Sequence, residues 1–562
     1  MEEPKTAASP RRSHAATIAG GILSSRILGF VREGVMAYFF GAGAHADVWQ
    51  AAFKGPNLLQ NLLGEGTLSA SFIPIYSRLL AEGRAHEAGR FAGAVFGLLV
   101  AVAAALVLIG IGLARPFVAL LTPGFINDAA QVAAGELSIN RFELTVQAVR
   151  IIFPMTGVLV LSAWALGVLN SHRHFFVPYF APVLWNTAII TALFIGGRLL
   201  TTGSLEAEAL SVEMLNRLLF AAFFGALVGG LLQFLVQVPF VIRLMRGFRF
   251  SLSTKVAGVR EALAAFGPVV AGRGAYQISG YLDVFLASLL AEGALGSLRW
   301  AMMLYILPVS LFGQSVAASE LPELSRLSDE DVAPFLKRLD RSIRQSLFLT
   351  IPTTVGYLAL GFLIVGAFFR RGRFGLTDNW LIYTVLAAYS LGLIATTISR
   401  LLQNGFWALQ DTKTPAKIAG VRVFLSALVA VPLMFVLDRF SVAQTMGLAP
   451  EAKLLHFGAV GLALGATVGA WVELWRLRVA LRRRLPAFDV PWRGLFGMVA
   501  LAGVAVLPAA ALWALLPAWS IVPVAGLVVG TYGAAYLGLA HVFGFSELDV
   551  WMGRFFRRFR TS

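Results

Sequence analysis

Stretches of about twenty residues with almost no charge recur along this entire chain, each long enough to cross ~30 Å of hydrocarbon as a helix. Segments such as 91–113 and 499–516 do not alternate apolar and polar residues, as the strands of a membrane barrel would. With no water to satisfy backbone groups in the bilayer, the remaining spanning solution is the α-helix. The composition agrees: 58% of the residues are hydrophobic, 14% are charged, and the mean hydropathy is +0.76. A soluble core cannot hide that much apolar surface. The pattern therefore predicts an all-α polytopic membrane protein of about fourteen transmembrane helices. Their approximate limits are 15–40, 46–77, 90–121, 144–169, 178–200, 218–245, 259–290, 296–321, 340–369, 379–408, 415–438, 456–481, 493–516 and 519–545.

The net charge of +16 would suggest nucleic acid in a soluble protein. Here the cations collect in short connections, with clusters at Arg243, Arg246, Arg249 and Lys255 and at Arg482, Arg483 and Arg484. The even-numbered connections and both termini are the basic side, which predicts cytoplasmic termini and no nucleic-acid partner. Residues 1–14 read as a cytoplasmic tail and 546–562 as a basic cytoplasmic tail; the first apolar stretch carries Arg26, Arg32 and Glu33 and reads as a retained helix, not a cleaved signal.

There are no cysteines, no phosphate-cradling Walker loop and no paired histidines at ligand spacing, so neither an enzyme, a cofactor nor a metal site is expected. An internal repeat is visible. Pro74-Ile-Tyr-Ser77-Arg78-Leu79 returns as Pro322-Glu-Leu-Ser325-Arg326-Leu327, and Gly167…Pro178 returns as Gly405…Pro415, each six helices on. Six is even, so the two halves cross the membrane the same way round, as two six-helix lobes about an axis along the membrane normal. The expected division is an N-lobe over 15–245, a C-lobe over 246–481 and two C-terminal helices over 482–545. Small residues at Gly461, Gly465 and Gly469 and at Gly526 and Gly530 predict close helix packing.

Ionisable residues inside the spans are the informative ones, because each costs at least ~2.5 kcal/mol in hydrocarbon unless it meets water or a partner. They are Arg26, Arg32, Glu33, Asp47, Lys54 and Glu65 in the first two spans, then Arg273, Asp283, Arg299, Glu320, Arg400, Arg422 and Glu473. Two readings stand side by side. In one, Glu33, Asp47 and Glu65 neutralise Arg26, Arg32 and Lys54 as structural ion pairs. In the other, surplus arginine forms an anion pocket, for which its planar, permanently charged fork is suited.

The string Ser25-Arg26-Ile-Leu-Gly-Phe-Val-Arg32-Glu33 is specific, and it continues through Phe40-Gly41, Asp47, Phe53-Lys54, Pro56-Asn57-Leu-Leu and Glu65-Gly66 to Gln410-Asp411-Thr-Lys-Thr-Pro415. Over roughly 15–490 the chain resembles the MurJ (MviN) family of lipid II flippases, in the multidrug/oligosaccharidyl-lipid/polysaccharide (MOP) exporter superfamily. The resemblance implies a protein of the bacterial inner membrane, a monomer, that carries an undecaprenyl-diphosphate-linked muropeptide to the outer leaflet by alternating access. Membrane lipids and the cell-wall synthesis machinery are the implied partners, and helices 13 and 14 would hold the lipid tail. It places Arg26, Arg32 and Lys54 as substrate-binding cations of a central cavity and Glu33, Asp47 and Glu65 as gate or ion-pair residues. Two departures stand out. Gln60 and Asn61 occupy a basic pair of the family, and Met302 and Met303 occupy an Asp-Arg step. Arg273 and Arg299 are the expected replacements. Asp283 falls at a sodium position of some members, and Arg422 would pair with it as a tethered cation. The alternative functions are a paralogous exporter of another lipid-linked glycan or amphipathic solute, and a non-transporting scaffold.

Overall fold

The computed structural model describes residues 10–200, 207–327, 332–449, 455–516 and 520–549; of these, the side chains of 10–17, 19, 209, 271–279, 315 and 318 are not described. Most of both expected terminal tails lies outside the described residues. The fold is all-α and polytopic. Eleven described helices are long and apolar enough to cross a membrane. The other three expected spans, at 15–40, 46–77 and 259–290, are helical too, and they carry the ionisable residues that dilute their hydropathy. The chain divides into two compact units, 1–289 and 290–562.

The first unit runs through α1 (Pro10–Phe40), α2 (Ala44–Leu63), α3 (Glu65–Ser71), α4 (Ile73–Ala81), α5 (Ala85–Gly112), α6 (Ala114–Leu121), α7 (Asp128–Ala133), α8 (Arg141–Ser171), α9 (Phe176–Leu200), α10 (Val212–Leu235), α11 (Val238–Leu244) and α12 (Val259–Ser288). The second expected span is thus broken into three pieces. At the first break the Gly64 amide donates to the Gln60 carbonyl at 2.8 Å, and a Cβ on Gly64 would collide with that same oxygen. α8 is the buried centre and packs on α2, α5 and α10. One contact is unusual for a membrane helix. Gly89, Gly93 and Gly97 present a bare strip of α5 to the non-helical segment 246–251. A Cβ on any of the three would collide with the carbonyl oxygen of Arg246, Arg249 or Ser251 respectively.

The second unit comprises α13 (Ala294–Pro308), a π-helical turn over Val309–Gln314, α14 (Ser315–Leu327), α15 (Val332–Phe369), α16 (Leu376–Ser390), α17 (Leu393–Ala408), α18 (Lys413–Leu437), α19 (Val442–Thr445), α20 (Gly458–Arg484), α21 (Trp492–Leu515) and α22 (Ile521–Val542). Gly461, Gly465 and Gly469 press α20 against Met434, Ala430 and Ser426 of α18, as the small-residue spacing predicts. Gly526 and Gly530 do not follow that expectation, for no atom lies within 4 Å of a Cβ at either.

Prolines inside these helices leave carbonyls without their usual donor one turn back. Two tyrosines fill the gap. Pro308 frees the Leu304 carbonyl, to which the Tyr357 hydroxyl donates at 2.8 Å. Pro352 frees the Phe348 carbonyl, to which the Tyr536 hydroxyl donates at 2.8 Å. The second bond, with Tyr532 donating to the Pro352 carbonyl at 2.7 Å, pins α22 to α15. In hydrocarbon an unsatisfied backbone group costs several kcal/mol, so these are strong anchors.

The repeat is visible in the backbone. Among the described residues only two that are not glycine have a left-handed conformation, Arg173 (φ 60°) and Gln410 (φ 58°). Each stops a helix in the same way, followed by an amide that reaches five residues back: His174 to Leu169 at 2.9 Å and Asp411 to Phe406 at 2.9 Å. Each stands five residues before the proline of its echo, Pro178 or Pro415.

Candidate functional site

Within the first unit, α1, α2, α3, α8, α9 and α10 enclose a cavity of about 470 Å3. That volume lies within the ~300–1,000 Å3 of small-molecule sites. α1 contributes Ser25 and Arg26, α2 Asn57 and Gln60, and α3 Glu65. From the other side come Ser162 of α8, Tyr179, Trp185 and Asn186 of α9, and Gln233 of α10. Apolar side chains such as Ile22, Met155 and Leu159 complete the wall.

Arg26 is exposed to this cavity, and among the described residues no carboxylate stands within salt-bridge distance of it. Arg32, two turns on, is withdrawn. It is 9% exposed. Its Nη2 lies 2.6 Å from Glu33, its Nη1 donates to Asn186 Oδ1 at 3.1 Å, and its guanidinium covers the Trp185 ring at 4.8 Å. Glu33 is thus a structural partner of Arg32, as the ion-pair reading has it, and Arg32 braces the cavity wall from behind.

Asp47 is fully buried, and Arg141 Nη1 stands 3.5 Å from its carboxylate. Arg141 also grips Asp128 through Nε (2.8 Å), Nη2 (3.1 Å) and its own amide (3.0 Å), and it lies over the Phe125 ring at 4.3 Å. Asp47 and Asp128 stand in the first turns of α2 and α7, where the helix dipole favours negative charge. Arg141 opens α8, against the dipole, and needs both carboxylates. A search for charges inside spans misses Arg141 and Asp128 because both lie just outside an apolar stretch.

Lys54 is half-buried at the α12 side of α2, its Nζ 5.9 Å from the Tyr281 ring, while the Tyr281 hydroxyl donates to the Lys54 carbonyl at 2.9 Å. Glu65 faces the cavity. Asp283 is exposed on α12, and the Arg273 side chain lies outside the described residues.

In the second unit Arg299 is exposed on α13, with no carboxylate among the described residues within salt-bridge distance. Arg422 engages the Glu473 carboxylate at 2.6 Å. Glu473 is 2% exposed and also accepts from Gln403 Nε2 at 2.9 Å. The pair joins α18 to α20, one turn from the glycine contact at Gly469, so close packing itself brings the two charges together. Tyr305 donates to Thr396 at 3.1 Å within electrostatic reach of Arg400 and Arg422.

Neutral polar residues are what sequence reasoning missed in the cavity. Ser162 and Gln233 sit in mid-span without a charge, and a charge search passes over them. Gln237 Nε2 donates to Ser162 Oγ at 2.7 Å and Gln233 Nε2 to the same oxygen at 3.5 Å, a buried amide cluster in an apolar bundle.

Fold and cavity together define a polytopic helical membrane protein with a polar chamber inside one bundle. The family model described as "Lipid II flippase MurJ" matches residues 36–532. A probable lipid II flippase MurJ of Rhizobium tropici is 33% identical over 83% of this chain and 80% of its own length. The lipid II flippase MurJ of Burkholderia cenocepacia is 30% identical over 83% of each chain. Among solved structures, a lipid II flippase MurJ in an inward closed conformation superposes with a TM-score of 0.68 at 21% identity, covering 94% of this chain and 98% of that one. An inward-facing multidrug transporter of the MATE family and MOP superfamily shares the fold, with a TM-score of 0.59 at 14% identity over 82% and 95% of the two chains. The chain belongs to the MurJ family of lipid II flippases.

Proposed function

We propose that this protein moves lipid II, the undecaprenyl-diphosphate-linked muropeptide, from the cytoplasmic to the outer leaflet of the bacterial inner membrane. The observation that carries this reading is a polar cavity of about 470 Å3 enclosed by helices of membrane-spanning length. Buried polar groups are costly in hydrocarbon, so such a chamber is retained for a polar passenger. The cycle is alternating access, with lobes over 15–245 and 246–481 as the moving bodies and both termini in the cytoplasm. Helices 13 and 14 hold the prenyl tail. Arg26, which lines the first-unit cavity with no carboxylate among the described residues within salt-bridge distance, is the cation offered there to the diphosphate, and Lys54, Arg273 and Arg299 are the other proposed substrate-binding cations. Guanidinium suits it because two parallel donors match a phosphate edge.

Expression of this chain in a bacterium depleted of its own lipid II flippase tests the reading. Restored growth and restored outer-leaflet exposure of lipid II are expected. Continued lysis with the protein present in the membrane contradicts it.

A further inference from the structure

Among the described residues that line the cavity, one is a cation and one a carboxylate. Arg26 faces a wall that also carries the Glu65 carboxylate, and the next cation along α1, Arg32, is bound to Glu33 and covered by Trp185. Much of the remaining polar surface of the wall is neutral amide. Asn57 and Gln60 come from α2 and Gln233 from α10, with the Ser162 hydroxyl beside Gln233. Among the described residues the side chains of Asn57 and Gln60 make no hydrogen bond, so both present a donor and an acceptor to the cavity. The Gln233 side chain is tethered through Ser162: its Nε2 donates to Ser162 Oγ at 3.5 Å, and the same oxygen accepts from Nε2 of Gln237, 1% exposed, at 2.7 Å.

An amide side chain carries two donors and two acceptor lone pairs in one plane. That set pairs with an acetamido group, which offers one N–H and one C=O, and with neighbouring sugar hydroxyls, each both donor and acceptor. A diphosphate offers acceptors only, so it can take the amide N–H donors but leaves the Gln and Asn oxygens unpaired and meets the Glu65 carboxylate with like charge. A site built to hydrogen-bond hydroxyl and amide groups discriminates strongly against a ligand that lacks them, because its own polar groups are then left unpaired. Ile22, Met155 and Leu159 offer the apolar patches that the C–H faces of a pyranose ring need.

We propose that the first-unit cavity reads the N-acetylated sugars of the lipid-linked substrate, with Gln60 and Gln233 as specificity-determining residues, while the diphosphate is left to the cations. This rests on the transport reading above. The Gln at position 60, where the family resemblance leads one to expect a cation, is then a functional part of the site.

Binding of two probes to the purified full-length protein in lipid nanodiscs separates the possibilities. One probe is undecaprenyl diphosphate bearing the N-acetylglucosamine–N-acetylmuramic acid disaccharide, and the other is bare undecaprenyl diphosphate. The wild type is expected to prefer the sugar-bearing probe by at least tenfold. The Gln60→Leu/Gln233→Leu variant is expected to lose that preference while binding the bare diphosphate within twofold of wild type. Gln60→Met serves as the length-matched substitution if the double variant does not fold, and is expected to reduce the preference at least threefold. Retention of the full preference in either variant overturns the inference, as does equal loss of both probes. Failure of the wild type to bind either probe overturns the transport reading itself.

Discussion

The Arg141 guanidinium lies between two carboxylates, 3.5 Å from Asp47 and 2.8 Å from Asp128, with all three side chains at most 5% exposed. Three helix starts, those of α2, α7 and α8, meet on this one cation. Removing one partner of a buried pair is costly because it strands the other charge, by about 3–5 kcal/mol. Arg141→Met strands two carboxylates and should cost at least that much. Asp47→Asn leaves the bidentate Asp128 contact intact and should cost clearly less. Thermal unfolding of the two variants in detergent measures the order, and equal losses would mean that Asp47 and Asp128 share the arginine evenly.

Tyr536 supplies the donor that Pro352 cannot give to the Phe348 carbonyl. Tyr536→Phe leaves that carbonyl unpaired in a buried site, for which about 1–3 kcal/mol is expected. The Pro352→Ala/Tyr536→Phe double variant restores the helical donor and should recover most of the loss. Unfolding midpoints of wild type, single and double variants provide the check, and no recovery in the double variant would sever the link between the two residues.

The glycine strip on α5 and the glycines of α22 give opposite expectations for one substitution. Gly93→Ala must push the Arg249 carbonyl aside and release the 246–251 segment, seen as faster amide exchange across it. Gly530→Ala meets open space and replaces a poor helix former with a good one, so stability is unchanged or slightly higher. Protection of 246–251 in Gly93→Ala equal to wild type would contradict the packing described.

Asp411 closes the turn between α17 and α18. Hydrogen bonds from the Thr414 hydroxyl and amide, then the Arg484 charge at 2.6 Å and the Lys413 amide, hold its carboxyl below the usual carboxylate range. A folded-state pKa lowered in this way contributes stability that is present above the unfolded value and lost as pH falls through the folded one. Amide exchange of residues 410–415 should therefore be slow at neutral pH and accelerate, after correction for intrinsic rates, only on acidification below the ordinary range for aspartate. Asp411→Asn should abolish that dependence, and an unchanged profile in the variant would assign the effect elsewhere.

How far sequence alone reached follows from what each feature depends on. Apolar run length is a local property, and every expected span is present as helix. One of the two short echoes marks a backbone requirement, the left-handed stops at Arg173 and Gln410. Arg32 and Glu33, neighbours in the chain, were legible as a pair, whereas partners on different helices were not. Asp47 and Arg141, or Arg422 and Glu473, meet through tertiary packing between distant helices, and nothing in local spacing selects among the candidate acids. Ser162 and Gln233 were missed for a different reason: neither carries a charge, so a search for ionisable groups inside the spans passes over them.

Transport of lipid II by this protein requires that the first-unit cavity receive the polar headgroup. A photo-reactive amino acid placed at Met155, in the cavity wall, and separately at Leu108, exposed on the outer side of α5, can be activated in inner membranes holding radiolabelled lipid II. The expected result is a covalent lipid II adduct from position 155 and little from position 108. Equal labelling at both positions, or labelling from 108 alone, would contradict it.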